Sequence, residues 1–310
     1  MRENPSSVHA TETKTSAPDA SRAPMFAMLS DTGLVRKENQ DACGAFCDSG
    51  GNWLWVVADG MGGHKGGSTA SRICVETIGR RFEKSPVSLE DGLKEAIAEA
   101  NRAVLDTSRM DVALGGMGTT VVAFLLSGQR RGWVAWVGDS RAYRVRDGGI
   151  ELLTEDHSLV AEWVRQRVIT SEQAATHPRR NELLHCIGLD EHVPVALREV
   201  DVAPGDRILL CSDGLWGTLS EREIAEVAGR ENVQAAVAVL VERANARGGP
   251  DNITVQLAAV PGRSSAAPVS TAALRAAPAL RVWPTVALAA GVAVALACGI
   301  AWLLWSRVAA

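Results

Sequence analysis

Four aspartates, each set just past an apolar run, are spread over most of the chain: Trp53-Leu-Trp-Val-Val-Ala-Asp59-Gly60, Val134-Ala-Trp-Val-Gly-Asp139-Ser140, Ile208-Leu-Leu-Cys-Ser-Asp213-Gly214 and Gly249-Pro-Asp251-Asn252-Ile-Thr-Val. An apolar run that ends in Asp-Gly puts a carboxylate at a strand terminus and lets the glycine bring a backbone carbonyl close to a ligand. One such Asp-Gly commonly does no more than stop a strand or seed an Asx turn. Four carboxylates converging on one point would repel one another unless a cation neutralised them. All-oxygen donors of this kind suit magnesium or manganese rather than zinc. The pattern therefore predicts strands whose ends meet at a hard-metal site.

Further motifs lie in order between and around these runs: Ser30-Asp-Thr-Gly-Leu-Val-Arg36-Lys-Glu-Asn39-Gln-Asp41, Val57-Ala-Asp59-Gly60-Met-Gly-Gly-His64, Gly118-Thr119-Thr120, Gly138-Asp139-Ser140-Arg141, Thr154-Glu-Asp156-His157-Ser158, Ser212-Asp213-Gly214 and Asp251-Asn252. In this order they resemble the metal-dependent protein serine/threonine phosphatases of the PPM or PP2C type in their bacterial form, over about residues 31–260. The resemblance implies an α+β fold, an α-β-β-α sandwich of two antiparallel sheets flanked by helices, with the metals at one end between the sheets. It implies hydrolysis of phosphoserine and phosphothreonine in proteins, with a metal-bridging hydroxide as nucleophile. Two metals about 3.5–4 Å apart acidify such a water and clamp both oxygens of an in-line displacement.

Carried over by position, Asp59 resembles the residue that bridges the two central metals, and Gly60 adds its carbonyl to the second. Asp213 and Asp251 resemble the other ligands of the first metal. Asp139 resembles the ligand of a third, more weakly held ion shared with Asp213. Arg36 matches the arginine that grips the substrate phosphate, where a planar guanidinium offers paired donors at any working pH. Asp41 matches an acid that contacts metal-bound water. The chain departs from eukaryotic relatives at Gln40, where those carry a glutamate ligand to the second metal, which predicts weaker binding there. Met61 stands where they place a histidine; His64 is then a candidate general acid by virtue of its near-neutral pKa, with metal-bound water as the alternative. His185 stands where relatives often carry arginine, and its role is left open.

Around this domain, expected over 25–261, lie appendages. Residues 1–24 are rich in Ser, Thr, Ala and Pro without apolar periodicity and are expected to be a disordered leader. A Gly-Arg-Ser-Ser-Ala-Ala-Pro linker over 262–281 precedes an uncharged apolar stretch, 282–305, bordered by Trp283, Trp302 and Trp305. Roughly 20 such residues span a bilayer, which predicts a transmembrane helix followed by a short tail, 306–310. Arg263, Arg275 and Arg281 before it place the catalytic domain on the cytoplasmic side of the inner membrane. The expectation is a tail-anchored, monomeric enzyme that acts on phosphorylated proteins and opposes a membrane serine/threonine kinase. A membrane-anchored pseudophosphatase that binds phosphoproteins without turnover is the alternative. With 36 acidic and 32 basic residues and no basic block, no nucleic-acid partner is expected. The six cysteines show no Cys-x-x-Cys spacing and read as reduced and mostly buried.

Within the domain, 118–127 and 133–138 read as neighbouring strands, followed by a hairpin through Asp147-Gly148-Gly149, as in one antiparallel meander. Helical periodicity covers 67–82, 89–107 and 233–246. The mixed stretch 159–195 is, by resemblance, a flap beside the active site.

Overall fold

The run Leu54-Trp-Val-Val-Ala58 is apolar at every position, so a strand made of it must be covered on both faces. In the computed structural model, which describes residues 24–84, 89–128 and 131–261, this is what happens. Leu54, Val56 and Ala58 pack with Ala70, Cys74, Ile78, Ile97 and Val104 of two helices, while Trp55 and Val57 pack with Phe124, Val134, Ile208 and Leu210 between two sheets. A third apolar cluster joins Val255 and Leu257 to Ile224, Val237 and Leu240 on the other side. Three clusters separate four layers: helix, sheet, sheet, helix. Each fully buried Leu, Val or Ile contributes about 1.5–3 kcal/mol relative to exposure.

In chain order the strands are β1 (Met25–Asp31), β2 (Asp41–Cys47), β3 (Trp53–Met61), β4 (Gly118–Thr119), β5 (Val121–Ser127), β6 (Arg131–Val137), β7 (Arg141–Arg146), β8 (Gly149–Leu152), β9 (Ala196–Asp201), β10 (Arg207–Cys211) and β11 (Ile253–Ala259). The helices are α1 (Gly63–Lys84), α2 (Leu89–Met110), α3 (Leu159–Arg165), α4 (Ser171–Ala175), α5 (Asp213–Trp216), α6 (Glu221–Arg230) and α7 (Val233–Ala246). One sheet runs β1-β11-β10-β7-β8 and the other β2-β3-β5-β6-β9, with β4 paired to β3, and all pairings are antiparallel.

The expected single meander is corrected here. Strands β5 and β6 pair in one sheet, and β7 and β8 form a hairpin in the other. The chain crosses between sheets at Gly138-Asp139-Ser140. Gly138 takes φ +105°, a region that a side-chain-bearing residue rarely enters, and a Cβ there would sit 2.6 Å from the Thr120 side chain. The crossing sets Asp139 at the end of the sandwich, between the sheets. Helix α6 and strands β1 and β2 had no expectation from periodicity, and α1 begins at Gly63 rather than at residue 67.

The leader (apart from Pro24), the linker, the transmembrane segment 282–305 and the tail lie outside the described residues. Among the described residues no helix is long and apolar enough to cross a membrane.

Candidate metal centre and active site

Strand register brings the first two acids together. Strands β2 and β3 pair so that Asp41 stands opposite Asp59. Asp213 opens α5 directly after β10, and Asp251 lies just before β11, the neighbour of β10. Asp139 comes from the sheet crossing. Strands of both sheets therefore deliver carboxylates to the same end.

Electrostatics record the convergence. Burial, and then repulsion from Asp41, Asp213, Asp139 and Asp251, hold the Asp59 carboxyl well above the usual range. Asp139 is raised well above it by burial and by Asp213. Asp213 is pushed up to about 6 by burial, Asp251 and Asp41. Asp41 is pushed up to about 6 by burial, against the lowering effect of hydrogen bonds from Ser212 and Thr254.

These acids share one region without forming a preset cage. Among the described residues, no three His, Cys, Asp or Glu side chains are gathered as metal ligands. Two of the carboxylates are instead turned onto protein donors. Ser212 Oγ and Thr254 Oγ1 both donate to Asp41 Oδ2 at 2.7 Å. Arg36 donates through a terminal guanidinium nitrogen to Asp251 Oδ2 at 2.7 Å. The donor set nonetheless fits a hard divalent ion. Asp41 Oδ1 and Asp213 Oδ1 are buried with no hydrogen-bond partner, and an unpartnered buried carboxylate oxygen is costly unless a cation meets it.

The backbone around Asp59 is fixed by the Gly-Thr-Thr segment, to which the sequence assigned no role. Asp59 N–H donates to Thr120 Oγ1 at 3.0 Å, Thr120 N–H and Thr119 Oγ1 each donate to Asp59 O at 2.8 Å, and Thr120 shares a 2.7 Å hydroxyl contact with Ser140. The bridging candidate is thus tied to the residue after Asp139. At Gly60 a Cβ would lie 2.1 Å from Gly67 O and 2.5 Å from Gln40 O, so only glycine fits. Gln40 lies against this turn, its Oε1 2.8 Å from where a Cβ on Gly67 would be.

Asp139 is braced from behind. Trp216 Nε1 donates to Asp139 O at 3.0 Å, the Arg141 guanidinium sits 3.7 Å from the Trp216 ring, and Arg141 makes a two-pronged pair with Asp156. A cation over an indole face and a bidentate carboxylate are both geometry-specific contacts. Trp216 escaped the sequence reading because its place in a one-turn helix leaves no periodic signal. The adjoining His157 ring accepts at Nδ1 from Gly138 N–H and lies 5.5 Å from the ring of His185, edge to face. Burial, then the His185 neighbour, lower the His157 pKa. His64 falls in the first turn of α1, and its side chain is outside the described residues. Among the described residues five cysteines are free thiols, and burial, then Asp41, push Cys43 up to about 11.

A four-layer sandwich whose two sheets converge their carboxylates at one end belongs with the metal-dependent hydrolases. The model of the family described as Protein phosphatase 2C matches residues 35–258, and the chain belongs to that family. It is 37% identical over 233 residues to the serine/threonine phosphatase stp of Listeria monocytogenes, a match covering 73% of this chain and 92% of that one. A solved serine/threonine phosphatase of S. agalactiae superposes with TM-score 0.72 at 36% identity, covering 76% of this chain and 99% of the other. The catalytic domain of the serine threonine protein phosphatase PstP, solved in complex with 2 manganese ions, gives TM-score 0.68 at 34% identity over 77% of this chain and 98% of that one.

Proposed function

We propose that this serine/threonine protein phosphatase of the 2C type hydrolyses phosphoserine and phosphothreonine in proteins at the carboxylate end of its sandwich. The observation that carries the reading is the burial, at one end of two sheets, of mutually repelling acids beside an arginine. Asp59, the Gly60 carbonyl, Asp213 and Asp251 would hold two core ions, manganese or magnesium, and Asp139 with Asp213 would hold a third. When bound, such ions supply a water acidic enough to attack near neutral pH and a clamp on the phosphoryl oxygens.

The chain's own groups do the rest. Arg36 presents paired N–H donors to two phosphoryl oxygens, exchanging its contact with Asp251 for one with substrate. Asp41 has Oδ2 pinned by two hydroxyls, which aims Oδ1 at the attacking water as a hydrogen-bond acceptor. As the new O–P bond forms and the bond to the serine or threonine oxygen breaks, that oxygen needs a proton, and His64 is the proposed donor. The binding-only alternative is not favoured, because a protein without turnover has no use for buried carboxylates that oppose folding.

The apolar 282–305 stretch with its bordering tryptophans supports a single membrane span, and Arg263, Arg275 and Arg281 before it support a catalytic domain facing the cytoplasm; that this domain is monomeric and opposes a membrane serine/threonine kinase is part of the same proposal. The flap reading of 159–195 rests on the family resemblance and is supported by α3 and α4, which interrupt the strand series between β8 and β9.

The test is phosphate release from a phosphothreonine peptide by the full-length chain with manganese, with magnesium and with chelator. Metal-dependent release lost in chelator is expected. A folded protein inactive under every metal would overturn the reading. The anchor is tested by deleting residues 262–310: the truncated chain should leave the membrane fraction, and continued pelleting with membranes would refute it.

A further inference from the structure

Residues 32–40 form the loop that carries Arg36, and one side chain from the far end of the sequence braces both of its ends. Asn252 Nδ2 donates to Thr32 O at 2.9 Å and to Glu38 O at 3.0 Å, and its Oδ1 accepts from Gln40 N–H at 2.8 Å. Thr32 and Glu38 flank Arg36 in the chain, so the amide holds the loop closed across its base. Asn252 is 5% exposed, and both its donors are committed to this loop.

Three further contacts interlock the loop with the segment before Asn252. Leu34 N–H donates to Gly249 O at 2.8 Å, Asn245 Nδ2 donates to Asp31 Oδ1 at 3.1 Å, and a Cβ on Gly33 would lie 2.2 Å from Asp251 O. Asn252 also adjoins Asp251, the partner of Arg36 in the 2.7 Å ion pair. The same short segment therefore supplies a candidate metal ligand and the brace for the phosphate-binding loop.

We infer that Asn252 is a positioning residue for phosphate recognition: its carboxamide fixes the Arg36 loop against the Asp251 segment, so that the guanidinium meets the phosphate without first ordering the loop. The inference rests on the reading of Arg36 as the phosphate-binding residue. A loop left free would have to be ordered at each binding event, which takes conformational entropy out of the affinity. Preorganisation removes that cost from the affinity. The role is distinct from a metal-site role, because Asp251 keeps its own anchor: Asn252 N–H donates to Asp251 Oδ1 at 2.8 Å through the backbone, which a side-chain substitution leaves in place.

The experiment is a double-mutant cycle on the full-length chain with manganese, using Asn252→Ala, Arg36→Ala and the pair. Three quantities are read: KM for a phosphothreonine peptide, the inhibition constant of inorganic phosphate, and the manganese concentration at half-maximal turnover. Asn252→Ala is expected to raise KM and the phosphate inhibition constant together, by about tenfold, with kcat changed by less than about threefold and the manganese midpoint within about twofold. In the Arg36→Ala background the same substitution should add almost nothing, because the guanidinium it positions is gone. Should Asn252→Ala fail to fold, Asn252→Ser puts a neutral polar side chain in the space that is too short to hold both carbonyls, and the same pattern is expected. Equal effects in both backgrounds would overturn the inference, as would a raised manganese midpoint with phosphate inhibition unchanged. A wild-type chain that releases no phosphate would overturn the reading of the site itself, and is told apart because it shows before any substitution.

Discussion

At Asp59 burial and four neighbouring carboxylates, the strongest influences on it, act in one direction. Such a residue opposes folding and is kept for what it binds. Asp59→Asn is therefore expected to lower turnover by at least about 100-fold while leaving the melting temperature in chelator equal to or above that of the wild type. Turnover and thermal melting measured on the same preparations check it; a variant that is both active and less stable would refute it. The reading of Arg36 and Asp41 from sequence needed the surrounding motif, because a lone arginine or aspartate in a loop carries no such message. The hydroxyls that orient Asp41, on Ser212 after β10 and on Thr254 in β11, could not be read in this way: they lie 171 and 213 residues away along the chain.

At the scale of elements, the end of β3 is where the chain has least room. The turn at Gly60 runs against Gly67 O and Gln40 O, and a methyl group there must push backbone rather than a flexible side chain. Gly60→Ala is expected to destabilise the domain by about 1–3 kcal/mol. At about 2–4 °C per kcal/mol for a domain of this size, calorimetry should register a fall of several degrees. An unchanged melting temperature would mean that the turn yields. The strand pairs β5–β6 and β7–β8 were each legible from their turns and apolar runs. Their division between two sheets was not, because each local hairpin pattern is the same whichever sheet receives it. What separates them is the Gly138 turn and the Thr120–Ser140 contact, which acquire meaning only once β3 lies alongside. Helix α6 was missed although Ser220 and Glu223 form a capping pair at its start and Ile224, Val227 and Ala228 mark its buried face.

At the scale of the whole molecule, an acid far from the site helps tie the β7–β8 hairpin to the turn before β10. Asp206 is buried, accepts two hydrogen bonds from Arg146 at 2.6 Å, and accepts from Ala203 N–H at 2.7 Å. Burial alone would raise its pKa, but Arg146 and the Ala203 amide outweigh burial and lower it. A folded pKa below the unfolded one stabilises the protein above the unfolded value, near 3.9, and that stabilisation fades as pH falls through the folded value. Asp206→Asn should therefore melt below the wild type at neutral pH, with the gap closing once pH drops under about 4. Melting curves across that range check it; a gap undiminished in acid would show that the charge is not its source. The sequence by itself determined the class of fold, the family, and the acids and arginine of the candidate site, because apolar runs, turn glycines and motif order are local properties of the chain. Only the tertiary structure decided which strands share a sheet, that Asp139 reaches the site by crossing between sheets, and that Asn252, Thr120, Ser212, Thr254 and Trp216 hold the site's residues in place. The physical reason is that these contacts join groups brought together by long-range pairing, and a hydrogen bond across 61 to 220 residues leaves no pattern in either of the segments that it joins.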